Sequence, residues 1–303
     1  MFKKGSCDNF STTRLITTEK PEILKNPGDK FETVLFLPEG INRSGEGGIR
    51  TKGYFKKSYY EKPLISVVTV VFNGVKFLEK TVQSVINQTY DNVEYIIIDG
   101  GSTDGTLDII KKYENQIDYW VSERDDGIYD AMNKGLKIGT GTWLNFMNAG
   151  DSFYDRTTLE NIFTDSNYKN IDVLYGNHSV IYQNKTRISK AGNIEDIWKG
   201  SQFCHQSSFM SANAYKSNKF NLSNRIGADF ELFYTLYKKN ISFKYIDIIV
   251  ANYSAGGLSD IIRVDSIVGW WNVIEKNTKV NLYYTWIILK EIFKGWVKKI
   301  VYK

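Results

Sequence analysis

LISVVTVVFNGVKFLEKTVQSVINQTYDNVEYIIID, residues 64–99, is the stretch whose reading decides the fold. Leu64 to Phe72 is a Val-, Ile- and Thr-dominated run with no apolar–polar alternation, the pattern of a strand buried on both faces. The period then changes. From Val75 to Thr89 the apolar residues Phe77, Leu78, Val82, Val85 and Ile86 recur at helical spacing, which predicts a helix with one inward stripe. Val93 to Ile98 restores the buried-strand pattern. A strand, a helix and a second strand of this kind imply a crossover connection and parallel pairing.

Working outward, the rhythm continues downstream. Ser102 or Asp104 offers an N-cap for a helix over Leu107 to Tyr113. Ile117 to Ser122 reads as a strand, Gly127 to Ile138 as a helix with Ile128, Ala131, Met132 and Leu136 inward, and Trp143 to Met147 as a further strand ending in Asn148-Ala149-Gly150-Asp151. The expected class is α/β: a Rossmann-like, mostly parallel central sheet flanked by helices, with its ligand crevice at the carboxyl ends of the strands. Beyond Asp151 the pattern loosens, with strands expected at Val173 to Tyr175, Val180 to Tyr182, Ser207 to Met210 and Phe243 to Val250, and a helix from Asp229 to Lys239. Upstream, residues 1–62 read as an N-terminal extension with one strand-like run, Thr33 to Leu37, and a flexible stretch, Ser44 to Gly53. The division expected is 1–62, 63–260 and 261–303.

Composition sets the class. Charged residues at 24% and apolar ones at 42% suit a folded chain of 303 residues rather than a disordered one. Cys7 and Cys204 are too few and too far apart for a disulfide framework or a zinc site, which points to a reducing compartment. Residues 1–18 carry no apolar run of signal-peptide length, so a cytoplasmic location is expected. The net charge of +5 is localised: residues 261–303 hold eight Lys or Arg against three Asp or Glu, and the rest of the chain balances. A neutral body argues against nucleic acid as a partner.

Three carboxylates fall where the sheet would present them. Asp99 follows a strand and precedes Gly100-Gly101, where backbone can approach a ligand closely; it reads equally as a base or ribose acceptor and as a turn residue. Asp151 ends the Asn-Ala-Gly-Asp turn, as a ligand for a hard cation or as a turn former. Asp229 heads a helix, as a general base or as a cap.

Taken in order, Thr69-Val70-Val71-Phe72-Asn73-Gly74, Asp99-Gly100-Gly101-Ser102-Thr103-Asp104-Gly105-Thr106, Asp126-Gly127-Ile128-Tyr129-Asp130-Ala131-Met132-Asn133-Lys134-Gly135, Asn148-Ala149-Gly150-Asp151 and Ala228-Asp229 resemble the family 2 glycosyltransferases, in particular bacterial members that build capsule, exopolysaccharide or O-antigen. The resemblance covers about residues 63–255. It implies a GT-A fold and inverting transfer of a sugar from a nucleotide diphosphate donor, UDP-linked by expectation, to a saccharide or lipid-linked acceptor. Val70 and Phe72 would line the base pocket, Asp99 would hold uracil or ribose, and Asn133 would lie beside the donor. Asp151 would bind Mn²⁺ or Mg²⁺, and Asp229 would be the base. Asn148 stands where the metal element usually begins with a carboxylate, which thins that element. His205, in Phe203-Cys204-His205-Gln206-Ser207-Ser208-Phe209, matches a recurrent segment and is read as a donor-phosphate or acceptor contact, or as a structural histidine.

The tail carries Trp286, Leu289, Phe293, Trp296, Val297 and Ile300 on one helical face and Lys290, Glu291, Lys294, Lys298 and Lys299 on the other, an amphipathic helix suited to the surface of an anionic membrane or to packing on protein. Two rivals remain. A nicotinamide oxidoreductase needs G-x-G-x-x-G at the first strand-to-helix turn, which here has a single glycine, Gly74. A non-catalytic sugar-nucleotide binding protein would leave Asp229 without a task.

Overall fold

The computed structural model describes residues 9–23, 25–40, 42–164, 168–256 and 263–301, with side chains to residue 297. Cys7 and the side chains of Lys298, Lys299 and Ile300 lie outside the described residues.

The stretch that decides the fold forms β2 (Ile65–Val71), α1 (Leu78–Ile86) and β3 (Val93–Asp99). Every residue of β2 and β3 is buried. Alternate residues feed two cores: Val68, Val70, Ile96 and Ile98 face α3 (Ile128–Ile138), while Val67, Val71 and Ile97 face Val82 and Val85 of α1. That double cover explains the missing alternation, and each such side chain contributes about 1.5–3 kcal/mol of burial. α1 starts three residues later than its periodicity suggests, because the Val75 N–H is taken by Asp104 Oδ2 and residues 74–77 close a turn instead. α2 (Thr106–Lys112) is preceded by Gly105 in the left-handed region, with Asp104 Oδ1 accepting from the Thr106 N–H at 3.0 Å.

β4 (Tyr119–Ser122) and β5 (Trp143–Phe146) join β3 and β2 in parallel, in the order β4-β3-β2-β5. Val71, Asp99 and Ser122 are in register, so their loops open on one edge. The second half is mixed. β9 (Ser208–Ser211) runs antiparallel to β5 and to β7 (Val173–Ile181); β7 pairs in parallel with β10 (Phe243–Ser254), which takes β6 (Ser152–Phe153) on its far side. β8 (Thr186–Ser189) forms a hairpin with β7. The runs expected separately at 173–175 and 180–182 fall in, or at the end of, this one strand β7, in whose middle the buried Asn177 donates to Asp247 and accepts from the Ala191 N–H.

Two expectations upstream are corrected. The Ser44 to Gly53 stretch is ordered: β1 (Gly45–Gly47) pairs antiparallel with β4, and a 3-10 turn over Ile49–Lys52 follows. Gly45 and Gly47 lie flat on the Trp120 indole, where an added Cβ would come within 2.9 Å and 2.7 Å of ring atoms. The Thr33 to Leu37 run forms no strand; the Val34 N–H bonds to Lys137 O and the Leu37 N–H to the Tyr119 hydroxyl, so no ladder is left to make. α4 (Thr158–Phe163), α5 (Ala212–Lys216) and α6 (Ala228–Lys238) complete the body. α7 (Arg263–Val273) and α8 (Thr278–Val301) follow, with Ile267 of α7 and Val280 and Tyr284 of α8 buried against it.

Candidate active site

The aligned strand ends form an open cleft of about 970 Å³. β2 contributes Val70 and Val71 to its floor, and Phe72, 65% exposed, stands at its lip. Asn148 closes one end. Gly100, Gly101, Arg124 and Asp125 form the other. A second cavity of about 480 Å³ lies beyond, lined by His178, His205, Gln206, Asp229 and Trp270 among others.

A hydrogen-bonded chain joins the two. Asn148 Nδ2 donates to His205 Nε2 at 3.0 Å, which leaves the ring proton on Nδ1, and Nδ1 donates to Asp229 Oδ2 at 3.1 Å. The Tyr129 hydroxyl donates to the other oxygen, Oδ1, at 3.2 Å. Burial pushes the Asp229 carboxyl up, but the hydrogen bond from His205, with those of the Phe230 N–H and Tyr129, outweighs it and holds Asp229 below the ordinary aspartate value. Asp229 is therefore ionised at neutral pH, with a fixed orientation. His178, which also lines the second cavity, is held neutral by burial.

The other expected residues are placed differently. Asp99 is fully buried and turned inward: Ser122 Oγ donates to its Oδ2 at 2.6 Å, the Ser102 N–H to Oδ2 at 3.0 Å, and Ser102 Oγ to Oδ1. Its carboxylate builds the loop and does not line the cleft. Asn133 clamps the backbone of Phe220 from both sides, Nδ2 donating to the carbonyl and Oδ1 accepting from the N–H, each at 2.9 Å. Phe220 stacks on Tyr129 with ring centroids 5.6 Å apart, so Asn133 is spent supporting the Tyr129 that holds Asp229.

Asp151 is buried, and its two oxygens accept from Gln206 Nε2 at 2.6 Å and the Ser254 N–H at 3.2 Å. Burial pushes its carboxyl up. No cluster of three or more His, Cys, Asp or Glu suited to a metal exists among the described residues. Asn148 Oδ1 also fits a cation: it is buried, has no partner among the described residues, and belongs to a residue that lines the cleft. One hard protein oxygen with diphosphate oxygens and water is a sufficient set for Mg²⁺. Asp151 accepts one hydrogen bond on each oxygen, which leaves lone pairs on both to join it. Cys204 is a free thiol, and burial pushes it up to about 12, which removes it as a nucleophile.

Sequence reasoning assigned no role to Tyr129, Gln206 or Asp125. The first two stand inside recognisable motifs, but their partners are 100 and 55 positions away, respectively. Asp125 had no signal beyond its place before Gly127.

The family model described as glycosyl transferase family 2 matches residues 66–239. A PGL/p-HBAD biosynthesis glycosyltransferase of Mycobacterium bovis is 30% identical over 207 residues, which is 66% of this chain and 80% of that protein. Among solved structures, S. aureus TarS in complex with UDP-GlcNAc superposes with a TM-score of 0.57 at 18% identity over 69% of this chain and 65% of that one. The mannosyltransferase PcManGT from Pyrobaculum calidifontis, in complex with GDP-Man and Mn²⁺, gives 0.56 at 15% identity over 75% and 68%. These two share the fold, a GT-A sheet with its flanking helices. With a family match spanning more than half its length, the chain belongs to glycosyl transferase family 2 and is a glycosyltransferase.

Proposed function

We propose that the protein transfers a sugar from a UDP-linked donor to a hydroxyl of a lipid-linked saccharide, with inversion, in the assembly of a surface glycan. The observation that carries this reading is the Asn148–His205–Asp229 chain, which joins a cleft of nucleotide size to a second cavity fit for the acceptor. Phe72 and Val70 offer the base an aromatic face and an apolar floor. In the second cavity the acceptor O–H gives its proton to Asp229 as its oxygen bonds the anomeric carbon. The bond from that carbon to the diphosphate breaks, and its electron pair leaves with the nucleoside diphosphate. A divalent cation, held by Asn148 Oδ1, would neutralise the charge developing on the leaving diphosphate. His205 orients Asp229 and keeps it ionised; Tyr129, backed by Phe220 and Asn133, fixes its second oxygen.

The surface-glycan assignment is supported by relatives: the mycobacterial protein named for PGL/p-HBAD biosynthesis, and TuaG of Bacillus subtilis, whose name assigns it to teichuronic acid biosynthesis and which is 38% identical over 95 residues. In our reading residues 63–260 carry the transfer and 261–303 bring the enzyme to its lipid-linked acceptor, as a peripheral protein on the inner face of the cell membrane. No described helix is long and apolar enough to cross a bilayer, while Leu282, Trp286, Leu289, Phe293 and Trp296 of α8 are exposed along one stripe beside Lys290 and Lys294. A stripe of this kind lies in the interface of an anionic leaflet.

The test is a panel of nucleotide sugars with Mg²⁺ or Mn²⁺ and a lipid-linked acceptor, following nucleoside diphosphate release. Release from one UDP-sugar, dependent on acceptor and metal, is the expected result; donor binding without release under any acceptor would favour the non-catalytic sugar-nucleotide binding protein.

A further inference from the structure

We propose that Asp125, across the cleft from Gly100, is the residue that selects the donor's base, by accepting the single imide N–H of a uracil. The inference rests on the nucleotide-sugar reading of the cleft and names the group that reads the nucleotide.

Gly100 poses the question. Its neighbour Gly101 has φ 83 and needs to be glycine, whereas Gly100 has no positive φ and its backbone suits any residue. What its missing side chain provides is space: a Cβ built there would lie 2.5 Å from Asp125 Oδ2. The Asp125 carboxylate thus occupies the position that a side chain at 100 would fill, at the end of the cleft opposite Asn148. With Asp99 committed to Ser102 and Ser122, Asp125 is the carboxylate lining the cleft.

Its two oxygens are unequal. Oδ1 accepts the Gly127 N–H at 2.9 Å, while Oδ2 accepts no hydrogen bond among the described residues and Asp125 has no ion pair there. One oxygen tethered by backbone and one open is a rigid single acceptor. Burial, with Asp130 and Asp99 nearby, pushes the carboxyl up, and a donor bound at Oδ2 would bring it back down. Uracil presents one ring N–H between two carbonyls and matches it. Cytosine presents a lone pair at the same ring position, which faces the carboxylate unfavourably, and the paired donors of guanine would ask for both oxygens. Phe72 supplies a stacking face in the same cleft.

The experiment is titration of the full-length protein with UDP, CDP and GDP by calorimetry, for the parent, Asp125→Asn and Gly100→Ala. The parent is expected to bind UDP at least about ten-fold more tightly than CDP, the discrimination of one hydrogen bond to a charged group. Asp125→Asn keeps an oxygen for the Gly127 N–H but can turn an amide N–H toward the base; it should weaken UDP about ten-fold and bring CDP to near parity. Gly100→Ala, tolerated by the backbone, should push the carboxylate aside and weaken UDP in the same direction, which guards against a folding defect peculiar to position 125. Unchanged UDP affinity and an unchanged UDP to CDP ratio in Asp125→Asn would overturn the assignment and leave the nucleotide cleft standing. A parent that binds none of the three nucleotides would overturn both.

Discussion

At Asp229 two opposing forces set the protonation state. Burial favours the neutral acid, and His205 and Tyr129 favour the carboxylate; the second wins. A carboxyl held below its ordinary value stabilises the fold above that value and loses the contribution as pH falls through the folded pKa. Activity should follow the same group, with the acid limb of kcat/KM lying below the ordinary aspartate range. His205→Phe removes the donor and leaves the burial, so the limb should move to higher pH; a pH–rate profile with an unmoved limb would mean that His205 does not tune Asp229. Tyr129→Phe leaves Oδ1 without its donor and should lower kcat with little change in KM for the donor, measurable by steady-state kinetics. The carboxylates also show what a sequence withholds. Asp99, Asp151 and Asp229 stand at equivalent strand or helix ends in the chain, yet only Asp229 faces a cavity. The difference lies in Ser122, Gln206 and Ser254, partners brought in by separate elements, and no spacing along the chain announces them.

Among the elements, β2, α1 and β3 were legible because a buried parallel strand and a one-faced helix leave their periods in the sequence. β1 was not. Its three residues, Gly45, Glu46 and Gly47, have no hydrophobic pattern, and their partner strand is more than seventy positions away. What anchors them is equally non-local. Arg50 Nη2 pairs with Glu94 Oε1 at 2.5 Å beneath the sheet, both side chains buried, and Arg50 Nη1 donates to the carbonyls of Leu35 at 2.8 Å and Ile138 at 3.2 Å. Removing one member of a buried pair strands the other, so Arg50→Ala should cost about 3–5 kcal/mol in a denaturant melt. An exposed pair such as Lys112–Glu79 should cost under about 1 kcal/mol by the same measurement. In α8 the periodicity was legible and its stripe is exposed, so Trp286→Ser with Phe293→Ser should abolish sedimentation with anionic vesicles while leaving UDP affinity unchanged. Loss of nucleotide binding in that variant would mean that the stripe packs on the catalytic body.

The whole molecule is a parallel half that builds a nucleotide-sized cleft and a mixed half that builds a second cavity, joined at Asn148 and His205. The first half could be read from its alternation of periods. The second could not, because β7 carries polar residues through its middle, β10 is only partly buried and β9 enters antiparallel, so the second cavity takes its shape from contacts the sequence does not order. This arrangement gives the central claim a direct measurement: single-turnover transfer from saturating donor by Asp229→Asn beside the parent, with donor affinity determined separately. Parental donor affinity with transfer slowed by about 10²–10⁴-fold is the result predicted for a general base at the far end of the hydrogen-bonded chain. Transfer at the parental rate would contradict it, and would mean that the acceptor proton leaves by another route.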